Sequence, residues 1–281
     1  MPCAGSTAWL GSKCAEPRWQ IGLVRLAAII NLLSWQGPQR VPELTPLLIA
    51  AAIGVLLGAV VQGSVGFGMG LVAAPVLTLA LPELMPATLL MLGASQPVFT
   101  LVKDWRGIDP KGLLWALIGR LPGALLGTGL LVFLRPDHLG LVVGLSVLVA
   151  ALLQWKRWTV RKTNANVFTA GFVSGITGTA AGIGGPPLAM VYARESGTVV
   201  RGTLAAYFIL GVAISLTTLG VAARVTIANV WGAVILLPAL VIGSLLARPL
   251  ARYLDSGRTR TAILLVAGIS GLVLLIDSLV G

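Results

Sequence analysis

Val60 to Pro75 reads VVQGSVGFGMGLVAAP and places four glycines, Gly63, Gly66, Gly68 and Gly70, inside an otherwise apolar run. A chain in lipid must satisfy its own backbone, so irregular backbone at membrane depth is tolerated only where it is buried in protein or lines a wet cavity. The stretch therefore predicts a broken helix beside such a cavity, provided the chain is a membrane protein.

Composition meets that condition. Of 281 residues, 57% are hydrophobic and 10% charged, with a mean hydropathy of +0.95. A soluble domain carries about a quarter charged residues. Apolar runs recur from Leu44 to Val280 and read as successive spans of about 20 residues each. The formal charge of +11 would suggest nucleic acid in a soluble protein, but here the basic residues fall in short loops between apolar runs. They read as topology signals and imply no nucleic-acid partner. Cys3 and Cys14 lie in the N-terminal tail and the single histidine, His138, in a loop. No metal, haem or thiol-redox site can be assembled from them, so no cofactor is expected. The chain has neither a phosphate-binding loop nor an acid–base constellation within a span, which leaves gradients or a partner subunit as energy source and argues against an enzyme.

Residues 1–43 form a separate tail. Within it Trp19 to Trp35, WQIGLVRLAAIINLLSW, is short, carries Arg25 and has tryptophan at both ends. It is expected to be an interfacial helix rather than a span or a cleaved leader.

The rest of the chain is expected to be a duplication. At a shift of 112, Gly63, Gly66, Gly70 and Pro75 fall on Gly175, Gly178, Gly182 and Pro187. Thr88 and Leu89 then fall on Thr203 and Leu204, Pro122, Gly127 and Thr128 on Pro238, Gly243 and Ser244, and Gly144 and Ser146 on Gly268 and Ser270. The repeats occupy 44–155 and 166–281, joined by a basic linker at 156–165. Each opens with a glycine-broken segment followed by three plain apolar helices, at 86–102, 112–134 and 139–154, then 202–223, 227–247 and 261–280.

Charge decides whether the broken segment crosses once or turns back. With one crossing, eight Lys and Arg fall on one side and seven on the other, which is no bias. With a hairpin, the loops at 103–111, 156–162, 194–201 and 248–260 share one side with thirteen basic residues, against Arg135 and Arg224 on the other. The positive-inside rule selects the hairpin, either re-entrant or fully spanning, and makes the linker cytoplasmic and the C-terminus periplasmic. Trp105, Trp115, Trp155 and Trp158 crowd the same side, as an interfacial belt would. Five segments per repeat, an odd number, invert the second repeat relative to the first, giving an all-α polytopic fold of about eight to ten membrane segments on the inverted-repeat plan of secondary transporters.

The two breaks, at 63–70 and 175–185, are expected to face one another and form a midplane site. Half-helices beginning near Met69 and Pro186 would aim backbone N–H groups into it, a favourable setting for an anion. Gln62, Gly63, Ser64, Gly66, Gly68 and Gly70 are the candidates from the first break. Ser174, Thr177, Gly178, Thr179, Gly182, Gly184 and Gly185 are those from the second. Ser95, Gln96, Thr100, Tyr207 and Ser215 on the following helices offer further donors. The competing reading is that glycines four apart only let helices pack closely, but GIGGPP, Gly182 to Pro187, breaks a helix rather than thinning one side of it. Arg120 is the one ionisable residue well inside a plain span and so a functional candidate, with snorkelling to the headgroups as the alternative.

GSVGFGMGLVAAPVL (Gly63 to Leu77) and GFVSGITGTAAGIGGPPLAMVYA (Gly171 to Ala193) resemble the paired motifs of the TauE/SafE family of sulfite and organosulfonate exporters, over about Leu44 to Val280. The resemblance implies a multi-pass transporter of the bacterial inner membrane for small sulfur-containing anions such as sulfite or C2 sulfonates, with protons as a candidate coupling ion. Many members carry an Asn after the first hairpin. Here PATLLMLGASQPV, Pro86 to Val98, has none, and Ser95 and Gln96 are the available donors. The alternatives in other classes are a carboxylate transporter and a membrane scaffold that moves nothing.

Overall fold

The computed structural model describes residues 46–65, 68–134, 138–156, 158–254 and 257–280. The tail at 1–43, its expected interfacial helix and Gly66 lie outside the described residues. Those described form ten α-helices and no strand: α1 (Pro46–Val65), α2 (Met69–Ala80), α3 (Ala87–Asp104), α4 (Pro110–Phe133), α5 (Leu139–Trp155), α6 (Asn164–Ala181), α7 (Gly185–Tyr192), α8 (Gly197–Val221), α9 (Ile227–Leu254) and α10 (Gly257–Val280). Among the described residues α1, α4, α8 and α9 are long and apolar enough to cross a membrane by themselves. The chain is a polytopic helical membrane protein.

The boundaries follow local chemistry. Asp109 caps α4 by accepting a hydrogen bond from the Gly112 amide at 3.1 Å, and Pro110 occupies the first turn, where a missing N–H costs nothing. Thr163 caps α6 through the Asn166 amide. Gly182 ends α6 in the left-handed region at φ 72°, and Gly68, at φ 115°, precedes α2. Both breaks thus hold a backbone conformation that a side chain would strain.

Each broken segment folds back on itself. A methyl group on Gly58 would strike the Met69 carbonyl and one on Gly54 would strike Val76, so α2 runs antiparallel along α1. In the second, the Val160 amide donates to the Met190 carbonyl, which returns the end of α7 to the start of α6. The helix after each hairpin therefore starts on the side from which the hairpin came. Arg201 pairs with Asp104 at 2.7 Å, Lys162 with Asp109 at 2.9 Å and Glu195 at 3.0 Å, and Arg194 donates to Thr159. These contacts gather the loops at 104–109, 156–163 and 192–201 on one basic face. At the other face Arg224 donates to the Val132 carbonyl, and Asn229 ties the start of α9 to Glu83 and Leu84.

The strongest helix pairings exchange between the two five-helix sets: α4 lies along α6, α9 along α1, α3 along α8 and α5 along α10. Lipid supplies no hydrophobic drive between helices, so close approach of small residues must hold them. On α4 the buried stripe is Ala116, Gly119, Arg120, Gly123, Ala124, Gly127, Thr128 and Leu131, whereas Leu114, Leu121 and Leu125 face outward. Gly123 meets Gly175 backbone to backbone, and Gly171 lies against the Ala116 carbonyl. For these glycines the close-packing reading holds.

Candidate functional site

The two hairpin tips touch. A methyl group at Gly70 would lie 2.5 Å from the Gly182 carbonyl oxygen, and one at Gly182 would lie 2.7 Å from Leu89. Around the contact is a cavity of about 60 Å³, lined by Gln62, Gly68 and Gly70 from the first break, Gly178, Gly182, Gly184 and Gly185 from the second, and Arg120. Leu89, Leu90, Phe208 and Val212 belong to the apolar part of the wall, with Met69, Leu71, Ile183 and Pro186.

Arg120 is 2% exposed and does not snorkel. It lies on the small-residue stripe of α4, facing protein. Its Nη1 donates to Ser174 Oγ at 3.3 Å and its Nη2 to Ser215 Oγ at 3.1 Å, while the guanidinium stands 5.0 Å over the ring of Tyr207. Ser174 in turn donates to the Gly184 carbonyl, and Ser215 shares a hydrogen bond with Thr179 at 2.8 Å. Nε has no partner, and among the described residues no carboxylate pairs with this cation. Gly211 gives the side chain its slot, because a methyl group there would collide with Nε and sit 2.6 Å from Cζ. A desolvated guanidinium held only by hydroxyls and a π-face keeps most of its Coulombic demand unmet, and an oxyanion answers it with charge-assisted, bidentate geometry.

A second, larger space of about 600 Å³ adjoins the first. Its inner end is lined by Gln62, Gly63, Ser64, Gln96 and Ser244, and its outer end by Gly197, Val200 and Arg201 at the start of α8, on the basic face. Gln96 is fixed by donating to the Ala59 carbonyl and to Ser244, which leaves its Oε1 without a partner. Toward the opposite face Leu90 and Val212 run into an apolar cluster with Leu131, Ala180 and Leu219, and Thr128 donates to Thr218 at 2.8 Å. The interior thus communicates with the basic face and is packed shut toward the other.

The sequence-predicted residues divide accordingly. Gln62, Gly68, Gly70, Gly178, Gly182, Gly184, Gly185 and Arg120 meet at the central cavity, while Gly63, Ser64 and Gln96 belong to the vestibule. Ser174 and Thr179 stand behind Arg120. Thr177 donates to the Ile183 carbonyl and holds the break rather than the cavity. Ser95 donates to its own helix at Met91. The hydroxyl of Tyr207 donates to the Gly171 carbonyl and its ring, not its hydroxyl, serves the site. Leu89, Phe208 and Gly211 were not among the predicted residues. Gly211 stands midway between Tyr207 and Ser215 at steps of four, which puts all three on one face of α8.

Backbone N–H groups contribute less than the breaks alone suggest. In the first turn of α7, Pro186 and Pro187 have no N–H to offer, and the Met69 amide opening α2 already donates to Gln62 Oε1 at 3.3 Å. The positive charge of the cavity comes mainly from Arg120.

Residues 20–274 match the family described as sulfite exporter TauE/SafE. The chain belongs to that family. The match begins well before Leu44, so the family's span includes most of the tail segment Trp19 to Trp35. No curated protein and no solved structure matches the chain. Membership makes this a membrane transporter of the sulfite and sulfonate type and, at the level of the family, not an enzyme.

Proposed function

We propose that the protein exports small sulfur oxyanions, sulfite foremost, by alternating access about the cavity between the hairpin tips, with Arg120 as the anion's charged partner. The observation that carries this reading is a 2%-exposed arginine with no carboxylate partner among the described residues, lining a cavity where two broken helices meet. A functional cation at membrane depth is retained for what it binds.

The vestibule supports a state open toward the basic face, the cytoplasmic side of the inner membrane by the positive-inside rule. This puts the linker at 156–165 in the cytoplasm and the C-terminus in the periplasm. The exchanged pairing of α4 with α6 and α9 with α1 favours two inverted repeats as the moving parts. Among the described residues no carboxylate lines either space. Protons that accompany transport therefore travel on the substrate, as hydrogensulfite.

The test is sulfite flux in proteoliposomes. Wild type is expected to give saturable flux, and Arg120→Gln, reconstituted at equal density and still folded, flux at the level of protein-free vesicles. Wild-type flux from Arg120→Gln sinks the assignment. Acetate and lactate in the same assay test the carboxylate alternative, which a guanidinium would also serve.

A further inference from the structure

The small central cavity and the vestibule are separate spaces with two wall residues in common, Gln62 and Phe208. Gln62 is tied to the start of α2 through its Oε1. Phe208 is held by apolar contacts alone, against the cluster that contains Leu204 and Tyr207. Its ring meets Tyr207 edge to face, with centroids 5.9 Å apart at 62°, and no polar group anchors it. An aromatic side chain changes position by rotation between staggered wells about χ1, and here a space some ten times larger than the cavity lies on its outer side.

The cavity is also small in absolute terms. About 60 Å³ exceeds the roughly 10–15 Å³ that a single water needs and is about a tenth of the vestibule's volume. Sulfite has four non-hydrogen atoms and methanesulfonate five. A longer organic tail outgrows the smaller space first, and the larger room lies past Phe208 in the vestibule, because Leu90 and Val212 run into an apolar cluster in the opposite direction.

We propose that Phe208 is the specificity-determining residue of the anion site. Its ring closes the cavity around a compact oxyanion and selects against the same anionic group carrying a longer organic tail. This rests on the anion reading above. It names the accepted class as oxyanions of about the size of sulfite and methanesulfonate.

The test is a binding series on the purified full chain with sulfite and with methane-, ethane-, propane- and benzenesulfonate, repeated on Phe208→Ala and Phe208→Leu. Every sulfonate carries the same charged group, so only the tail varies. Wild type is expected to bind propane- and benzenesulfonate at least tenfold more weakly than methanesulfonate. Phe208→Ala is expected to shrink that ratio to threefold or less, with Phe208→Leu between the two. A flat wild-type series overturns the filter while leaving the anion site in place, and it does so even if neither variant folds. Unchanged discrimination in a folded Phe208→Ala overturns it equally. No binding of sulfite or methanesulfonate to wild type overturns the anion reading and the filter together.

Discussion

The seam around the first break and the seam around the second have opposite contents. Where α1, α3, α8 and α9 meet, Gln62, Gln96 and Ser244 border a vestibule of about 600 Å³. Where α4, α6 and α8 meet, the same kind of space is filled by Arg120, bonded to Ser174 and Ser215, with Thr128 joined to Thr218 beyond it. Gln96 and Gly211 stand 115 residues apart, the same spacing as Thr88 and Thr203. One carries a carboxamide at the vestibule, and the other carries nothing, so that the guanidinium can lie there. The two seams thus differ in a way that fits the proposed function: one carries a buried charge suited to hold an anion, and the other an open space suited to admit it.

Fixing the closed seam should have the largest effect on transport. With Cys3 and Cys14 replaced by serine, Thr128→Cys and Thr218→Cys joined by a short bis-alkylating reagent should abolish flux in proteoliposomes while leaving sulfite binding in detergent. A thioether bridge is required because sulfite cleaves disulfides. Full flux through the bridged protein would show that this seam never opens.

Next in size is the slot for the guanidinium. Gly211→Ala should lower sulfite affinity by about tenfold or more, because it displaces a charged hydrogen-bonding group worth about 1.5–3 kcal/mol. Titration calorimetry reads the change, and wild-type affinity in this variant would separate Arg120 from binding. Ser174→Ala removes one of the two hydroxyls that fix Arg120. It should cost about 0.5–1.5 kcal/mol, a loss of roughly two- to tenfold in the same experiment.

The smallest effect lies at the basic face. Burial raises the carboxyl of Asp109, but hydrogen bonds from Lys162, Gly112 and Tyr192, with the charge of Lys162, outweigh it and hold the group below its ordinary 3.8. Burial lowers Lys162, and its bonds to Asp109 and Glu195 outweigh that and hold it above 10.5. A depressed carboxyl stabilises above its unfolded value and loses this as pH falls through the folded one. A raised amine stabilises below its unfolded value and loses this as pH rises through the folded one. The network should therefore stabilise between about pH 4 and pH 10.5. Asp109→Asn should cost about 1 kcal/mol or less within that window, as such partly exposed pairs do, and still less outside it. A melting-temperature difference that does not narrow toward either end of that range would remove the network from the account.

Much of the fold was legible because lipid makes sequence signals blunt. The six plain helices begin and end within a few residues of the expected spans, except that α9 runs seven residues further to Leu254. The hairpins agree with the charge pattern: Lys162 meets Glu195 and Arg201 meets Asp104 only if the second broken segment returns to its own side, and the first returns by laying Met69 and Val76 against Gly58 and Gly54. The breaks themselves were announced by Gly68 and Gly182, the two glycines that adopt positive φ among the described residues.

The site was half legible. Gln62, Gly68 and Gly70 from the first break and Gly178, Gly182, Gly184 and Gly185 from the second line one cavity, but which way Arg120 points was open, because a helix apolar on all sides carries no amphipathic signal. The available clue was the stripe of small residues through Ala116, Gly119, Gly123, Ala124 and Gly127, since small residues in lipid face protein. Leu89 and Phe208 gave no sign, because an apolar side chain on a membrane helix reads alike against lipid, core or cavity.

The most direct test of the central claim is the melting temperature of the purified protein with and without millimolar sulfite, in wild type, Arg120→Gln and Arg120→Lys. A ligand at about 100 times its dissociation constant adds about 2.7 kcal/mol to the folded state. Sulfite is expected to raise the wild-type transition clearly, to leave Arg120→Gln unmoved and to act weakly on Arg120→Lys, which keeps the charge but not the fork. An equal rise in wild type and Arg120→Gln would contradict the account, because the anion would then be held somewhere other than the cavity between the two breaks.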